Sequence, residues 1–302
     1  MPISAAKKNL KTRKPIAATP RIGLHLGIAG GLHNALLRAR ELDSTALQIF
    51  SRNPRGWTAK PLELEQVETF KRVREETAIT PVVIHANYLI NLASGDTTIR
   101  DKSRDAFRDE LERAVTLGAN FLVVHPGSAK GACAADGVRT CAETINEACQ
   151  DLELEGLQIL IENTAGQGDC IGHTFDHLRE IIAATPALNL GVCFDTAHDF
   201  AAGYDLRTEA ELAATLDALN RNVGLENVRV VHFNDSRAAF NSRVDRHFHV
   251  GAGEIGVQAM RRVARSPLLA HAAFILETPQ DEIGDEANNL AALRSYINSS
   301  SG

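Results

Sequence analysis

Six apolar runs in this chain end on a group that can bind a proton or a metal. They are PVVIHAN (81–87), FLVVHPG (121–127), ILIENTA (159–165), GVCFDTAH (191–198), VRVVHFND (228–235) and FILETP (274–279). The terminal groups are His85, His125, Glu162, Asp195, His232 and Glu277; His198 follows Asp195 by three residues, and SRVDRH adds Asp245 and His247. Imidazole and carboxylate donors without thiolates suit Zn2+, Mn2+ or Fe2+ and argue against a purely structural zinc. Asp195 and His198 share a face if the chain turns helically after the strand. Asp245 and His247 point the same way if their segment is extended. Taken singly, each has an ordinary role as a hydrogen-bonded core histidine, a helix N-cap or a salt-bridge partner. Together they need another account, because four carboxylates in one place repel and shift toward protonation unless cations lie between them. The set exceeds one tetrahedral ion and matches two or three with shared carboxylates and open positions.

These residues are far apart in the chain, so the elements that carry them must converge. Segments 22–27, 45–50, 81–86, 121–126, 157–163, 190–195, 228–233 and 272–278 read as strands, most of them continuous apolar runs covered on both faces. Amphipathic stretches such as SRDAFRDELERAVTLG (103–118), TCAETINEACQDLELEG (140–156) and FDHLREIIAAT (175–185) separate them, several closing on glycine as helix C-termini do. Eight strands alternating with helices predict a (β/α)8 TIM barrel, a single α/β domain over 21–297. An open doubly wound sheet fits less well. No GxGxxG follows the first strand, and polar ends follow nearly every strand rather than one switch point. Barrel active sites form at the C-terminal strand ends, so residues closing different strands share one ring. His33, His173, His177 and His271 fall in helical or loop stretches and stay outside the set. His25, ending the first strand, is expected to line the pocket, and His249 to support the 245–247 pair from behind.

The chain has 302 residues, 44% hydrophobic and 23% charged, enough for one large barrel. No apolar stretch approaches the ~20 residues of a membrane span, and no signal-peptide core appears near the start. Five cysteines without a CxxC pair point to a reducing, cytoplasmic setting. Residues 1–20 carry five Lys/Arg and no acid and read as a flexible basic extension; 298–302 read as a frayed tail. The formal net charge of −6 argues at first against a nucleic-acid partner, but it counts possible metal ligands as free charges.

HANYLINLAS (85–94), HPGS (125–128), IENTAGQG (161–168), DTAHDFAAGYDLRT (195–208), HFNDS (232–236) and SRVDRH (242–247) resemble the motifs of endonuclease IV, the apurinic/apyrimidinic endonucleases of base-excision repair. The resemblance runs in order from about residue 21 to 280; IENTAGQG and DTAHDFAAGYD are long and specific, whereas HPGS alone is weak. It implies a TIM barrel with three Zn2+. His85, His125 and Glu162 would hold the first. Glu162 would bridge to the second with Asp195, His232 and Glu277, and His198, Asp245 and His247 would hold the third. Coordination lowers the pKa of water toward ~7, and cations neutralise the phosphate and leaving oxygen. The implied products are a 3′-hydroxyl and a 5′-deoxyribose phosphate, with removal of 3′-blocking groups as a related activity. By the same resemblance Tyr88, Leu89 and Arg55 would enter duplex DNA at the lesion, where apolar wedges kink the helix and a baseless nucleotide flips out cheaply. Three Zn2+ would bring +6 against the formal −6. Arg52, Arg55, Arg100, Lys102, Arg243 and Arg246 are loop cations from which phosphate contacts would be drawn. Gly27 stands where a small hydroxyl residue is expected, and Ala252 where a larger side chain is common.

Two other readings compete. A divalent-metal sugar isomerase or epimerase uses the same scaffold but leaves His198, Asp245 and His247 without a task. A zinc-stabilised DNA-damage binder without turnover would use the ligands only for structure.

Overall fold

The computed structural model describes residues 20–154 and 156–298. Apart from Pro20 and Asn298, the expected N-terminal extension 1–20 and tail 298–302 lie outside the described residues. In chain order the elements are β1 (Arg21–His25), α1 (Leu32–Glu41), β2 (Ala46–Phe50), α2 (Leu64–Thr77), β3 (Val82–His85), α3 (Thr97–Leu117) and β4 (Phe121–Val124). Next come α4 (Ala134–Cys149), β5 (Gln158–Glu162), α5 (Phe175–Ala183), β6 (Leu190–Asp195), α6 (Thr196–Ala202), α7 (Glu209–Val223) and β7 (Val228–His232). The chain continues with β8 (Asp235–Ser236), β9 (His247–Phe248), α8 (Gly256–Ala264), β10 (Ala273–Leu276) and α9 (Asp285–Asn298). Parallel strands close in the order β1-β10-β7-β6-β5-β4-β3-β2, the expected barrel.

Strand parity explains the polar ends. Side chains alternate between the barrel axis and the helix layer. Ala46, Val83, Val123, Leu160, Cys193, Val230, Ala273 and Ile275 form a small cluster separate from the main core, as side chains facing the axis must. Between sheet and helices a larger core gathers Ile84, Leu122, Ile161, Phe194, Val231 and Phe274 with Phe70, Phe107 and Phe175. Two residues beyond an axial apolar residue, the next axial position is polar: Val83 leads to His85, Val123 to His125, Leu160 to Glu162, Cys193 to Asp195, Val230 to His232 and Ile275 to Glu277. One pleat therefore separates a dry layer from a layer of donors.

Element ends differ from the sequence expectation by a few residues. β4 stops at Val124 and β10 at Leu276, so His125 and Glu277 lie just past the hydrogen-bonded ladder while keeping its parity. α3 starts at Thr97 rather than 103 because the Asp96 carboxylate caps it, accepting from the Thr98 and Ile99 amides at 2.9 and 3.1 Å. α4 runs 134–149 rather than 140–156, ending before Asp151, which has a left-handed φ of 58°. The antiparallel β8–β9 pair was not expected; it ties the SRVDRH segment back beside β7.

Candidate metal centre

Each predicted donor reaches the same end of the barrel by its own route. His85, Glu162, Asp195 and His232 are the last residues of β3, β5, β6 and β7. His125 and Glu277 follow β4 and β10 directly. Asp195 caps α6, its Oδ1 accepting from the His198 amide at 2.7 Å, so the helical turn expected of DTAH brings His198 beside it. Asp245 and His247 arrive on the long connection that β9 anchors.

Glu162 sits at the centre, fully buried. Its Oε2 lies 3.1 Å from His85 Nε2 and 3.0 Å from His125 Nε2, while Oε1 lies 2.9 Å from His232 Nδ1. His232 Nδ1 is also 3.2 Å from Glu277 Oε2 and 3.9 Å from Asp195 Oδ2. On the other flank His198 Nε2 faces His247 Nε2 at 3.3 Å and Asp245 Oδ2 at 3.3 Å, with His247 Nε2 3.4 Å from Asp195 Oδ2. Candidate donor groups are thus His85–His125–Glu162, Glu162–Asp195–His232–Glu277 and Asp195–His198–His247, with the buried Cys193 thiol also within reach of Glu162 and His232. Asp195 joins the third group as well as the second, and Asp245 adjoins the third from its more exposed side.

Does this arrangement suit metal? Zn–N and Zn–O bonds of about 2.0–2.1 Å at tetrahedral angles place donors about 3.3 Å apart, close to most of the spacings above. The outer nitrogens of four imidazoles are held by acceptors. His85 Nδ1 meets the Ala86 carbonyl at 2.7 Å and His198 Nδ1 the Asn163 carbonyl at 2.9 Å. His232 Nε2 meets Gln48 Oε1 at 2.8 Å, and His247 Nδ1 the Glu277 carbonyl at 3.3 Å. A ring that donates outward offers a lone pair inward, the tautomer a metal needs. Two such lone pairs, on His198 and His247, face each other at 3.3 Å, which is repulsive unless a metal ion or a proton lies between them.

Charge within the centre is strongly organised. Burial alone would keep Glu162 protonated, but His125 and His232 outweigh it and hold the carboxyl well below the usual range. Glu277 is lowered in the same way against burial, by His232, His25 and His85. Burial opposes charge on His198 and His232. Asp195 and Asp245 around the first, and Cys193, Glu277 and Glu162 around the second, more than offset it, so both are raised well above ordinary histidine. His85 is raised too, Glu162 overcoming its burial. Without metal the centre therefore holds its charge balance by keeping protons on imidazoles.

Sequence reasoning missed several supporting residues. Gln48, inward on β2, donates to Glu277 Oε1 at 2.6 Å while accepting from His232. Asn163 accepts the Asp195 amide at 2.7 Å and donates to Asp199 at 2.7 Å; Asn234 donates to Asp195 Oδ2 at 2.7 Å. Asp199 is buried, and burial together with Asp195 raises its carboxyl well above the usual range. The only signal for Gln48 was its parity with Ala46, visible once β2 is known to face the axis. His25 lines the cavity as expected, bonding Glu277 at 2.9 Å. His249 departs from expectation: it pairs with Asn289 of α9 at 3.0 Å and bonds none of the predicted donors. His33 and His177 lie on α1 and α5, and His173 and His271 in loops, outside the donor groups.

A cavity of about 440 Å³ opens over the centre, lined by His25, Gly27, Phe50, Tyr88, His125 and His247 among others. Tyr88 is 66% exposed, its ring edge-on to Phe50 at 5.1 Å; Leu89 is half-buried beside it, and Arg55 is exposed on the neighbouring loop. A Cβ at Gly27 would meet nothing within 4 Å, so the missing side chain leaves open space at the rim. Ala252 is exposed. Among the loop cations Arg52 is a correction: it is buried and paired with Glu110 at 2.9 Å, so it presents no charge to a phosphate. Arg100 and Lys102 lie on the first turns of α3 and not in a loop, Arg100 half-buried and Lys102 exposed, while Arg55, Arg243 and Arg246 are exposed on loops.

A family model described as a xylose isomerase-like TIM barrel matches residues 36–299. A protein named "Probable endonuclease 4" from Solibacter usitatus is 45% identical over 282 residues, covering 92% of this chain and 97% of that protein. The crystal structure of endonuclease IV from Thermus thermophilus superposes with a TM-score of 0.83 at 40% identity, covering 92% of this chain and 99% of that one. A D-tagatose 3-epimerase-like protein matches with a TM-score of 0.70 at 21% identity, a likeness of fold alone. Length, order of motifs and fold agree: the chain belongs to the endonuclease IV family of xylose isomerase-like TIM barrels.

Proposed function

We propose that this protein is a zinc-dependent DNA-repair endonuclease that hydrolyses the phosphodiester 5′ to abasic sites in duplex DNA. The products would be a 3′-hydroxyl and a 5′-deoxyribose phosphate, with cleaning of blocked 3′ ends as a companion activity. The observation that carries this reading is the shared carboxylate: Glu162 offers one oxygen to His85 and His125 and the other to His232. Three ions would be held by His85, His125 and Glu162; by Glu162, Asp195, His232 and Glu277; and by His198, Asp245 and His247. Mn2+ or Fe2+ could replace zinc at some of these positions. When bound, the ions supply Lewis acidity toward the phosphate and lower the pKa of water at neutral pH.

The side chains do the rest. Asp195, caught between His232 and His247, couples the second group to the third. Asn163 and Asn234 fix Asp195 in that position, and Gln48 holds His232 and Glu277 together, so the donors do not need to reorganise as charge develops. Tyr88 and Leu89 stand at the rim as an apolar wedge, with Arg55 exposed on the neighbouring loop to enter the duplex with them at the lesion. A lesion lacking its base costs little to extrude, which gives selectivity for damage without reading sequence. The partner is then duplex DNA inside the cell; among the described residues no helix is long and apolar enough to cross a membrane.

The test is incubation with a duplex carrying one tetrahydrofuran abasic analogue and, separately, with keto sugars, alongside a metal count. Strand cutting 5′ to the analogue with close to three zinc ions per chain is expected. An uncut duplex with full metal content overturns the nuclease reading, and sugar turnover would replace it with the isomerase.

A further inference from the structure

Behind the rim lies a buried ionic cluster that none of the chemistry above uses. Glu110, on the inner face of α3, is 1% exposed, and Arg52 and Arg113 are 5% and 8% exposed. Glu110 Oε1 accepts from Arg52 Nε at 2.9 Å, and Oε2 accepts from Ser51 Oγ at 2.8 Å. Arg113 Nε donates to Ser51 Oγ at 2.9 Å and Nη2 to the Ser51 carbonyl at 2.6 Å. Asp109 supplies the second negative charge, 2.8 Å from Arg52 Nη1, so two guanidiniums face two carboxylates.

The partners of this cluster show what it holds. Arg113 Nη1 donates to the Lys60 carbonyl at 3.0 Å and Arg52 Nη1 to the Trp57 carbonyl at 3.4 Å, pinning the far side of the loop that carries Arg55. Asn87 Nδ2 reaches Glu110 Oε1 at 3.4 Å, while Asn87 Oδ1 accepts the Leu89 amide at 2.9 Å. The Tyr88 amide donates to the Pro54 carbonyl at 3.1 Å, joining the two loops directly. One carboxylate on a long helix is thus wired to the loop after β2 and to the loop after β3.

We infer that the Glu110–Arg52–Arg113 cluster, acting through Ser51 and Asn87, is a positioning device that presets Arg55, Tyr88 and Leu89 for entry into damaged DNA. The inference rests on the reading of those three residues as DNA-contacting. Loops ordered before binding lose less conformational entropy when DNA arrives, and a wedge must be stiff to unstack a base step. A buried charge pair enforces that stiffness in the loop after β2, because displacing Arg52 would strand an uncompensated Glu110, and the Asn87 amide ties the loop after β3 to the same carboxylate. Glu110 touches none of the nine donors, so its effect should fall on recognition and not on the hydrolytic centre.

The experiment compares Glu110→Gln and Asn87→Ala with the zinc-loaded wild type on an abasic duplex and on bis(p-nitrophenyl) phosphate, a small diester that needs no wedge. Expected are a rise of about tenfold in KM for the duplex, kcat within about twofold, and unchanged zinc content and small-diester turnover. The fluorescence gain of a 2-aminopurine placed beside the lesion should fall in parallel. In a Tyr88→Ala background, Glu110→Gln should add less than about twofold, since a positioning residue has nothing left to position. Asn87→Ala removes the link without burying a lone charge and serves if Glu110→Gln does not fold. Additive losses in the double variant, or equal losses on both substrates, overturn the inference. If Tyr88→Ala and Arg55→Ala leave duplex binding untouched, the reading of the wedge itself fails, an outcome separate from the first.

Discussion

Glu162 and the imidazoles around it carry the sharpest consequences at the residue scale. Glu162→Gln keeps the shape but removes the charge that faces His85, His125 and His232. It should lower kcat for incision by at least ~10³-fold, about 4 kcal/mol, with abasic-duplex affinity changed less than about tenfold in a gel-shift titration. The raised histidines make metal uptake a proton exchange. His85, His198 and His232 hold protons in the metal-free protein above the ordinary range, and a metal must displace them. Zinc titration of chelator-stripped protein at pH 7, in buffers of different ionisation enthalpy, should report release of more than one proton; no buffer dependence would contradict it. The same shifts set a stability window. Unfolded histidine titrates near about 6.5. Groups raised on folding stabilise fully below that value and lose the contribution as pH rises through their folded pKa. The metal-free protein should therefore melt at progressively lower temperature from about pH 6.5 upward, as followed by circular dichroism, and zinc should reverse the trend.

At the scale of elements, the connection between β7 and α8 brings Asp245 and His247 without a barrel ladder, held by the short β8–β9 pair, by the Asn241 and Arg243 amides on the Phe200 and Ala201 carbonyls of α6, and by the Asp245 amide on Gln167. Asp235 compensates. Its buried carboxylate accepts the amides of Ser236, Gly253, Ile255 and Gly256 at 2.8, 3.1, 3.0 and 3.2 Å, closing both ends of the connection on one side chain. Losing those acceptors leaves the buried Ser236 and Ile255 amides unpaired at about 1–3 kcal/mol each, and the half-buried Gly253 and Gly256 amides at less. Asp235→Ala should then release the segment, and zinc measured by mass spectrometry should drop from near three per chain to near two, with the first two groups retained. A full complement in a folded variant would show that the other ties suffice. The same logic separates the barrel strands from this segment: a donor at a strand end is held by a ladder on both sides, a donor on a connection only by what its neighbours supply.

For the molecule as a whole, charge decides how DNA is met. The formal charge is −6, and four carboxylates, those of Glu162, Asp195, Asp245 and Glu277, gather in the centre over which the substrate's phosphates would lie. Stripping the metals should accordingly weaken abasic-duplex binding by more than about tenfold, measured by fluorescence anisotropy, and adding zinc should restore it. Loaded protein should show affinity falling with salt at a slope set by a few phosphate contacts, a smaller number than the loop cations suggest, because Arg52 is consumed in the interior. Equal affinity with and without metal would remove the centre from DNA binding altogether.

The strand–helix alternation and the polar groups closing the strands were legible from residue types alone, because burial on both faces demands apolar runs and a barrel collects whatever ends them. His85, His125, Glu162, Asp195, His232 and Glu277 could be found that way, since each breaks an apolar run at its end. Gln48 could not: it interrupts TALQIF in the middle, and only the folded barrel sets it beside His25 on β1 with its amide between Glu277 and His232. Nor could Arg52 be told from Arg55, three residues apart in one loop, until Glu110 arrived from α3 to bury one and leave the other in water. Local chemistry specifies which residues are able to act. Long-range packing decides which are placed to do so, because burial and partnership are set by chain segments that sequence distance keeps apart.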